Sequence, residues 1–277
     1  MLVKFDEILS MAEKGGFAIP AFNVYNMETV MGVIAAAEEM KAPVILQNYS
    51  RLFTNDEGFH VAPVVLAAAE RASIPVCYHL DHGAGETEVV RALRYGATGI
   101  MIDKSLLSMD ENIAYTKKIV EMCSAVSIAV EGEIGHVGVA AQGDEQTTEY
   151  TTADEAKKFV EGTGVRALAV AVGTAHGRYK KAPKLAIERI AEINGAVDAA
   201  LVLHGGSGVP DEEIRAAIKA GIRKINFGTD LCYSFLDSVF ATSRDIYAID
   251  LFMKDAIESV KNFAIGKIKL LGAENRV

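Results

Sequence analysis

Three histidines in the sequence are each followed directly by glycine: His82 in HLDHG, His176 in GTAHG and His204 in HGGSG. Each pair comes at or shortly after the end of a short apolar run. Three neutral imidazole ligands with one open position are typical of a catalytic zinc ion, and a following glycine lets the backbone turn sharply. The pattern therefore predicts a Zn²⁺ site if the fold brings these segments together; otherwise the three are unrelated histidines.

A carboxylate, Asp81, directly precedes the first of these histidines, His82. Adjacent residues within a β-strand point to opposite faces, so both side chains reach one site only if the strand has ended and the chain is turning. The glycine at position 83 favours such a turn. We expect Asp81 to lie beside the metal without binding it and to exchange protons with a substrate; the alternative is a carboxylate that orients a histidine.

The elements that must position these residues alternate between short apolar runs and helical stretches with apolar residues three or four apart. The runs are apolar throughout, which is typical of parallel strands covered by helices. Eight such units follow one leading helix. This order predicts an α/β fold: a (β/α)8 TIM barrel with an N-terminal helix and a C-terminal helical extension, as a single domain over residues 1–277. A doubly wound open sheet would need a glycine loop after its first strand, and AFNVYNMET has none. The predicted strands are Phe17–Val24, Pro43–Asn48, Pro75–His79, Gly99–Asp103, Ile128–Glu133, Ala167–Gly173, Ala199–Leu203 and Arg223–Phe227.

In a barrel of this kind the active site lies at the carboxyl ends of the strands, and the loops after strands seven and eight often bind phosphate. Here those loops read HGGSG and NFGTD, which offer backbone amides and the hydroxyls of Ser207 and Thr229. Lys180 is a candidate for an added positive charge, although a solvated lysine is an equal alternative. The one long polar loop, His136–Thr152, has the length and composition of a lid.

Composition and charge exclude several classes of function. The net charge of −9 argues against a nucleic-acid partner, and no apolar run approaches the roughly 18 residues that a membrane span requires. The three cysteines (Cys77, Cys123 and Cys232) are too few and too widely spaced for a disulfide framework or a cysteine zinc cluster. The first residues do not resemble a secretory signal, so we expect a cytoplasmic protein with neither a membrane nor a nucleic acid as partner.

Six motifs, HLDHG, IDKS, EGEIG, GTAHG, LHGGSG and NFGTD, occur in the same order as in the class II, metal-dependent ketose-bisphosphate aldolases. The chain resembles this family over nearly its whole length, and most of all the branch with fructose- and tagatose-1,6-bisphosphate aldolases. The resemblance implies that His82, His176 and His204 hold the zinc and that Asp81 transfers a proton. It also implies a second divalent or monovalent cation at Asp103 and Glu133, a phosphosugar substrate, and a homodimer or homotetramer. The residues predicted to bind substrate are Asn23, Gly177, Lys180, Gly205, Gly206, Ser207, Asn226, Phe227, Gly228 and Thr229.

Two departures from the family pattern leave the substrate open. Members often carry a Ser or Thr element after strand two, where this chain reads QNYSRLF, with Tyr49 or Ser50 near that place. Members also commonly carry an arginine in a YDPR-type stretch, and IYAIDLFMKD has none. The substrate is thus a ketose 1,6-bisphosphate, or a sugar with only the donor phosphate such as 6-phospho-5-dehydro-2-deoxygluconate. A non-catalytic phosphosugar-binding protein is a further alternative.

The catalytic groups also have alternatives. In some members a loop glutamate moves the proton of the donor carbon, and Glu145 and Glu149 are equal candidates for this step. A lysine Schiff base would replace the metal in another type of aldolase, and Lys104 and Lys224 lie near strand ends. The acid beside Lys104 in IDKS favours its charged, unreactive form. A metallohydrolase on the same barrel would place an HxH pair after strand one, which AFNVYN lacks.

Overall fold

Eight parallel strands form a closed barrel in sequential order, and the last strand pairs with the first. The computed structural model describes residues 1–135, 150–177, 179 and 181–277. This architecture confirms the predicted TIM barrel. The strands are β1 (Ile19–Asn23), β2 (Val44–Tyr49), β3 (Val76–Gly83), β4 (Gly99–Ile102), β5 (Val130–Ile134), β6 (Ala167–Val170), β7 (Ala200–Leu203) and β8 (Ile222–Phe227).

The helices surround this barrel, and none of those in the described ranges is long and apolar enough to cross a lipid bilayer. A one-turn helix directly after β2 was not predicted, because four residues are too few to show a helical period. The last helix packs against the second and the tenth. The helices are α1 (Phe5–Gly15), α2 (Met27–Met40), α3 (Arg51–Thr54), α4 (Glu57–Arg71), α5 (Glu86–Arg94), α6 (Met109–Ser124), α7 (Ala153–Thr163), α8 (Ile187–Ala196), α9 (Asp211–Ala220), α10 (Thr229–Ala241), α11 (Ile249–Phe252) and α12 (Lys254–Leu270).

Burial of the strands on both faces explains their apolar sequences. Every residue of β1, β4, β5, β6 and β7 is buried, since helices cover one face and the barrel interior covers the other. Helix α1 packs across the amino-terminal end of the barrel, where it contacts β1, β3 and β8. The ring of Phe5 lies 4.5 Å from the ring of His79, centroid to centroid. Helix α1 therefore covers the barrel interior at this end.

Strand β3 differs from the prediction in a way that matters for the site. It does not end before Asp81 but continues to Gly83, and its register with β4 shifts between Leu80 and Gly83. At this irregularity His82 itself adopts the left-handed backbone conformation, with φ of 49°. Such a bulge interrupts the alternation of faces, so that the adjacent Asp81 and His82 both line the cavity at the barrel mouth. The expected end of the strand was wrong, and a bulge brings the two side chains together.

Candidate active site

A cavity of about 570 Å³ opens at the carboxyl ends of the strands. Its volume is that of a small-molecule site. Residues at the ends of seven of the eight strands, all but β5, or in the segments that follow them contribute to its wall, including carboxylates, imidazoles, amides and aromatic rings. They are Asn23, Tyr25, Tyr49, Arg51, Asp81, His82, Asp103, His176, Gly177, Gly205, Ser207, Asn226, Gly228, Thr229, Cys232, Tyr233 and Leu236.

The structure brings the three predicted histidines together at the base of this cavity. One ring nitrogen from each of His82, His176 and His204 lies within 4.8 Å of the others. His82 Nε2 and His204 Nδ1 are 3.0 Å apart. Ligands about 2.0–2.1 Å from a tetrahedral zinc ion stand roughly 3.3 Å from one another. The spacing of the cluster is therefore close to that of a zinc coordination sphere.

Carboxylates fix the orientation of two of these rings. His82 Nδ1 lies 2.8 Å from Asp103 Oδ2, and His204 Nε2 lies 2.8 Å from Glu131 Oε1. In each ring the nitrogen that faces a carboxylate donates its proton there, which leaves the other nitrogen as a bare ligand directed at the common centre. A carboxylate on the outer nitrogen is the usual companion of a metal-binding histidine.

The charge around the cluster also fits a cation. Burial opposes a positive charge on His82, but the carboxylates of Asp81, Asp103 and Glu133 outweigh it and raise the pKa of His82 to about 10. Burial, with His82 nearby, holds the pKa of His204 well below its usual value. The negative charge that favours a proton on His82, 3.0 Å from His204 Nδ1, also favours a metal cation at this position. The donor set therefore fits a metal ion.

A buried charge network lies behind the cluster, inside the barrel. Glu131 accepts hydrogen bonds from His204 through Oε1 and from Lys224 Nζ through Oε2, the latter at 2.8 Å. All three side chains are fully buried. An ion-paired lysine is a poor nucleophile, and Lys224 is not part of the cavity wall. Lys104 donates to the carbonyl oxygen of Ala84 instead. Neither Schiff-base candidate is therefore placed for that chemistry.

Asp81 is held by two amide side chains. Its Oδ2 accepts from Asn23 Nδ2 at 2.7 Å, and its Oδ1 accepts from Asn226 Nδ2 at 3.1 Å. Gln47 Nε2 in turn donates to Asn23 Oδ1 at 3.1 Å. The two asparagines come from the neighbouring strands β1 and β8, and β2 separates β1 from β3. Both belong to the predicted substrate-binding residues, and in the structure both hold the carboxylate of Asp81.

The loops after β7 and β8 meet at the predicted phosphate site. The Ser207 hydroxyl accepts from the Asp230 backbone N–H at 3.1 Å, and the Asp230 carboxylate accepts from the Gly208 N–H at 3.0 Å. Thr229 begins helix α10, whose first N–H groups face an anion favourably. Gly205 has φ of 67°, and a Cβ there would collide with the carbonyl of Ala175. Only glycine allows the loops after β6 and β7 to approach this closely.

Several predicted residues lie elsewhere. The Phe227 side chain is fully buried and packs 5.9 Å from the ring of Phe22, centroid to centroid. Gly206 does not line the cavity, and its N–H donates to the carbonyl of Asn226. Lys180, Glu145 and Glu149 lie outside the described residues.

Glu133 is buried, with Oε2 3.5 Å from His204 Nδ1. His82, Asp103 and Glu133 offer a second group of ligand atoms within 4.8 Å of one another.

One part of the cavity wall consists of residues that no sequence motif predicts. Tyr25, Arg51, Cys232, Tyr233 and Leu236 line it, and none belongs to a motif with recognisable chemistry. The only signal is position, since Tyr25 follows the end of β1 by two residues and Arg51 follows the end of β2 by two. In a TIM barrel such positions face the active site, whatever the residue type.

Comparison with known proteins gives a consistent assignment. The family model described as fructose-bisphosphate aldolase class-II matches residues 3–276. The crystal structure of the YdjI aldolase from Escherichia coli K12 is 35% identical, with 100% of this chain and 99% of that chain covered and a TM-score of 0.90. A structure from Coccidioides immitis assigned as a fructose-1,6-biphosphate aldolase is 28% identical, covers 99% and 97%, and has a TM-score of 0.91. The fructose-bisphosphate aldolase of Campylobacter jejuni, at 21% identity, 100% and 96% coverage and a TM-score of 0.84, shares the fold.

Proposed function

Because the chain belongs to the class-II fructose-bisphosphate aldolase family, and is thus a lyase, we propose that it is a zinc-dependent aldolase. The reaction is the reversible cleavage of a ketose 1,6-bisphosphate of the fructose or tagatose type. Its products are dihydroxyacetone phosphate and an aldehyde such as glyceraldehyde 3-phosphate. One observation carries this proposal: three imidazoles from distant segments converge on one centre, with Asp81 beside them in the same cavity.

The zinc ligands in this proposal are His82, His176 and His204. When bound, Zn²⁺ supplies Lewis-acid chemistry, since it stabilises the negative charge that develops on the ketose carbonyl oxygen as the carbon–carbon bond breaks. Asp103 and Glu131 hold two of the three rings in the orientation that this binding requires. Asp103 and Glu133 stay candidates for a second cation, because they form the second ligand group with His82.

Other residues of the chain transfer the proton and bind the substrate in this proposal. Asp81 takes the proton from the hydroxyl on the acceptor side of the breaking bond, and the amides of Asn23 and Asn226 aim its two oxygens. Ser207 and Thr229 bind the phosphate of the donor half, assisted by the amino terminus of α10. The substrate is thus held at one end while its hydroxyl lies against Asp81, which is the positioning that bond cleavage needs.

We also propose that the enzyme works as a homodimer or homotetramer in carbohydrate metabolism. Large apolar side chains around α10 and α11 support an interface there. Phe240, Tyr247 and Ile249 are 83%, 93% and 73% exposed, respectively. Large apolar side chains with this degree of exposure support a contact with another subunit.

A coupled assay for triose phosphate release tests the proposed function. The purified protein is supplied with fructose 1,6-bisphosphate, tagatose 1,6-bisphosphate and a monophosphorylated ketose that carries only the donor phosphate. We expect release from at least one of these substrates, loss of activity with a chelator, and recovery with Zn²⁺. Chelator-insensitive activity would contradict the metal mechanism. Binding of the sugars without release from any of them would contradict the assignment as an aldolase for this substrate class.

A further inference from the structure

Arg51 is the one lysine or arginine among the described residues that line the cavity. It is the first residue of α3 and is exposed. Its guanidinium carbon lies 5.4 Å from the ring centroid of Tyr25 and 5.3 Å from that of Tyr49. Within the described part of the chain these two rings are its side-chain partners, and no carboxylate forms an ion pair with it. Its N–H groups are therefore available to a ligand.

The two tyrosines make a support for the guanidinium. Burial raises the pKa of both phenols, so the rings are neutral around pH 7 and present their faces to the cation. Cation–π contacts hold an arginine in place without occupying its N–H donors. The other arginine near this region, Arg91, differs, because it donates to the backbone carbonyl of Phe53. We name Tyr25, Tyr49 and Arg51 the acceptor-side patch.

The position of this patch indicates which end of the substrate it meets. Tyr49 lies between Arg51 and the metal cluster, with its ring 5.8 Å from that of His82, centroid to centroid. It is the last residue of β2, which pairs with β3, and its Cα partner there is Asp81. In the proposed mechanism Asp81 faces the hydroxyl on the acceptor side of the breaking bond. The patch therefore lies beyond the acceptor half, whereas the donor phosphate binds after β7 and β8.

We propose that Arg51 binds an anionic group, a phosphate or a carboxylate, at the far end of the acceptor half of the substrate. The inference rests on the proposed aldolase function and specifies its substrate class. A guanidinium offers a planar pair of N–H donors that matches either anion, and its charge is permanent at any physiological pH. Apart from the histidines, the other charged side chains among the described residues of the cavity wall are the carboxylates of Asp81 and Asp103, so of these residues Arg51 is the one whose charge favours an anionic aldehyde.

The test is aldol addition of dihydroxyacetone phosphate to three aldehydes: glyceraldehyde 3-phosphate, succinic semialdehyde and uncharged glyceraldehyde. The variants are Arg51→Met, which removes the charge but keeps the aliphatic chain, and Arg51→Lys, which keeps the charge but removes the planar pair of N–H donors. Arg71→Met, at the exposed end of α4, is the matched control. For Arg51→Met we expect kcat/KM to fall about 10- to 100-fold with the preferred anionic aldehyde, and less than about twofold with glyceraldehyde. Arg51→Lys should recover part of the loss.

The anionic aldehyde whose kcat/KM falls more in Arg51→Met shows whether Arg51 binds a phosphate or a carboxylate. An equal loss with charged and uncharged aldehydes, or no loss with either, would overturn the inference. If the wild-type protein adds none of the aldehydes, the proposed function fails, and a binding measurement then decides the role of Arg51. Calorimetric titration with 3-phosphoglycerate and with succinate should show weaker binding to Arg51→Met than to wild type and to Arg71→Met. Equal binding to all three proteins would overturn the inference independently of turnover.

Discussion

The three-histidine cluster and the acceptor-side patch lie in one cavity but are held in different ways. His82 is positioned by a bulge in β3 and by Asp103, and His204 is positioned by Glu131, which forms a fully buried ion pair with Lys224. The patch lies in and after the ends of β1 and β2, and Arg51 is exposed and touches only ring faces in the described residues. In the proposed function, the groups that carry out the reaction are therefore buried or partly buried, and two of the three histidines are held by carboxylates, whereas the residue that recognises the far end of the substrate is exposed.

This difference implies that the two functions can be changed separately. A buried charged network tolerates little change, because removal of one partner leaves another charge without compensation. An exposed arginine can be replaced with little cost to folding. Substitutions at the cluster should therefore abolish the reaction for all aldehydes, whereas substitutions in the patch should change which aldehyde is preferred.

The largest effect is expected from Asp81→Ala. Turnover should fall roughly 10²- to 10⁴-fold, because the variant lacks the proton acceptor, while its zinc content and fold stay unchanged. The loss should be the same for charged and uncharged aldehydes, since Asp81 does not touch the far end of the substrate. Steady-state kinetics with metal analysis measures this, and Asp198→Ala, at an exposed position before β7, is the control. Near-normal turnover of Asp81→Ala would contradict the role of Asp81 as proton acceptor.

The sequence predicts the cluster better than the patch for physical reasons. Parallel strands covered by helices must be apolar, so the eight strands and their ends can be read directly, and with them the places of His82, His176 and His204. The bulge in β3 cannot be predicted in this way, because the left-handed backbone conformation of His82 does not change the pattern of apolar residues from which strands are predicted. The expectation that the strand ends before Asp81 therefore fails, although the side chains still meet.

Contacts between side chains that are distant in the sequence are the second feature of the site that the sequence does not predict. Glu131 and Lys224 are 93 residues apart, and a charged residue inside an apolar run does not reveal which opposite charge it meets. From the sequence alone Lys224 is a candidate Schiff-base lysine, and its ion pair with Glu131 disfavours that role. Arg51 stands in QNYSRLF, where nothing distinguishes it from an ordinary surface residue until Tyr25 is known to lie beside it.

An intermediate effect is expected from Glu131→Gln. The variant loses the charge that orients His204 and neutralises Lys224, so zinc should bind about 10- to 100-fold more weakly. The buried lysine is also left without a counterion, which should lower the free energy of unfolding by about 3–5 kcal/mol. Competition with a chromophoric chelator measures the zinc affinity, and denaturant unfolding of the metal-free protein measures the stability.

The double variant Glu131→Gln/Lys224→Met separates these two effects. Without the lysine charge the stability should largely recover, but zinc affinity should stay low, because an amide holds the His204 ring less firmly than a carboxylate does. Zinc affinity equal to that of the wild type in both variants would show that Glu131 only balances charge. The preference between charged and uncharged aldehydes should not change in either variant, since the patch is untouched.

The smallest effect is expected from Tyr49→Leu, which removes one of the two rings that support Arg51. A cation–π contact at an exposed site contributes about 0.5–1 kcal/mol, so KM for the anionic aldehyde should rise only about two- to fivefold. Tyr49→Phe keeps the ring face at the same distance and should leave KM unchanged. A Phe variant as impaired as the Leu variant would mean that the phenol hydroxyl, and not the ring, acts on the substrate. Because Tyr49 also lies against His82, kcat with uncharged glyceraldehyde shows whether the substitution reaches the metal cluster, and a constant kcat there would confine its effect to recognition.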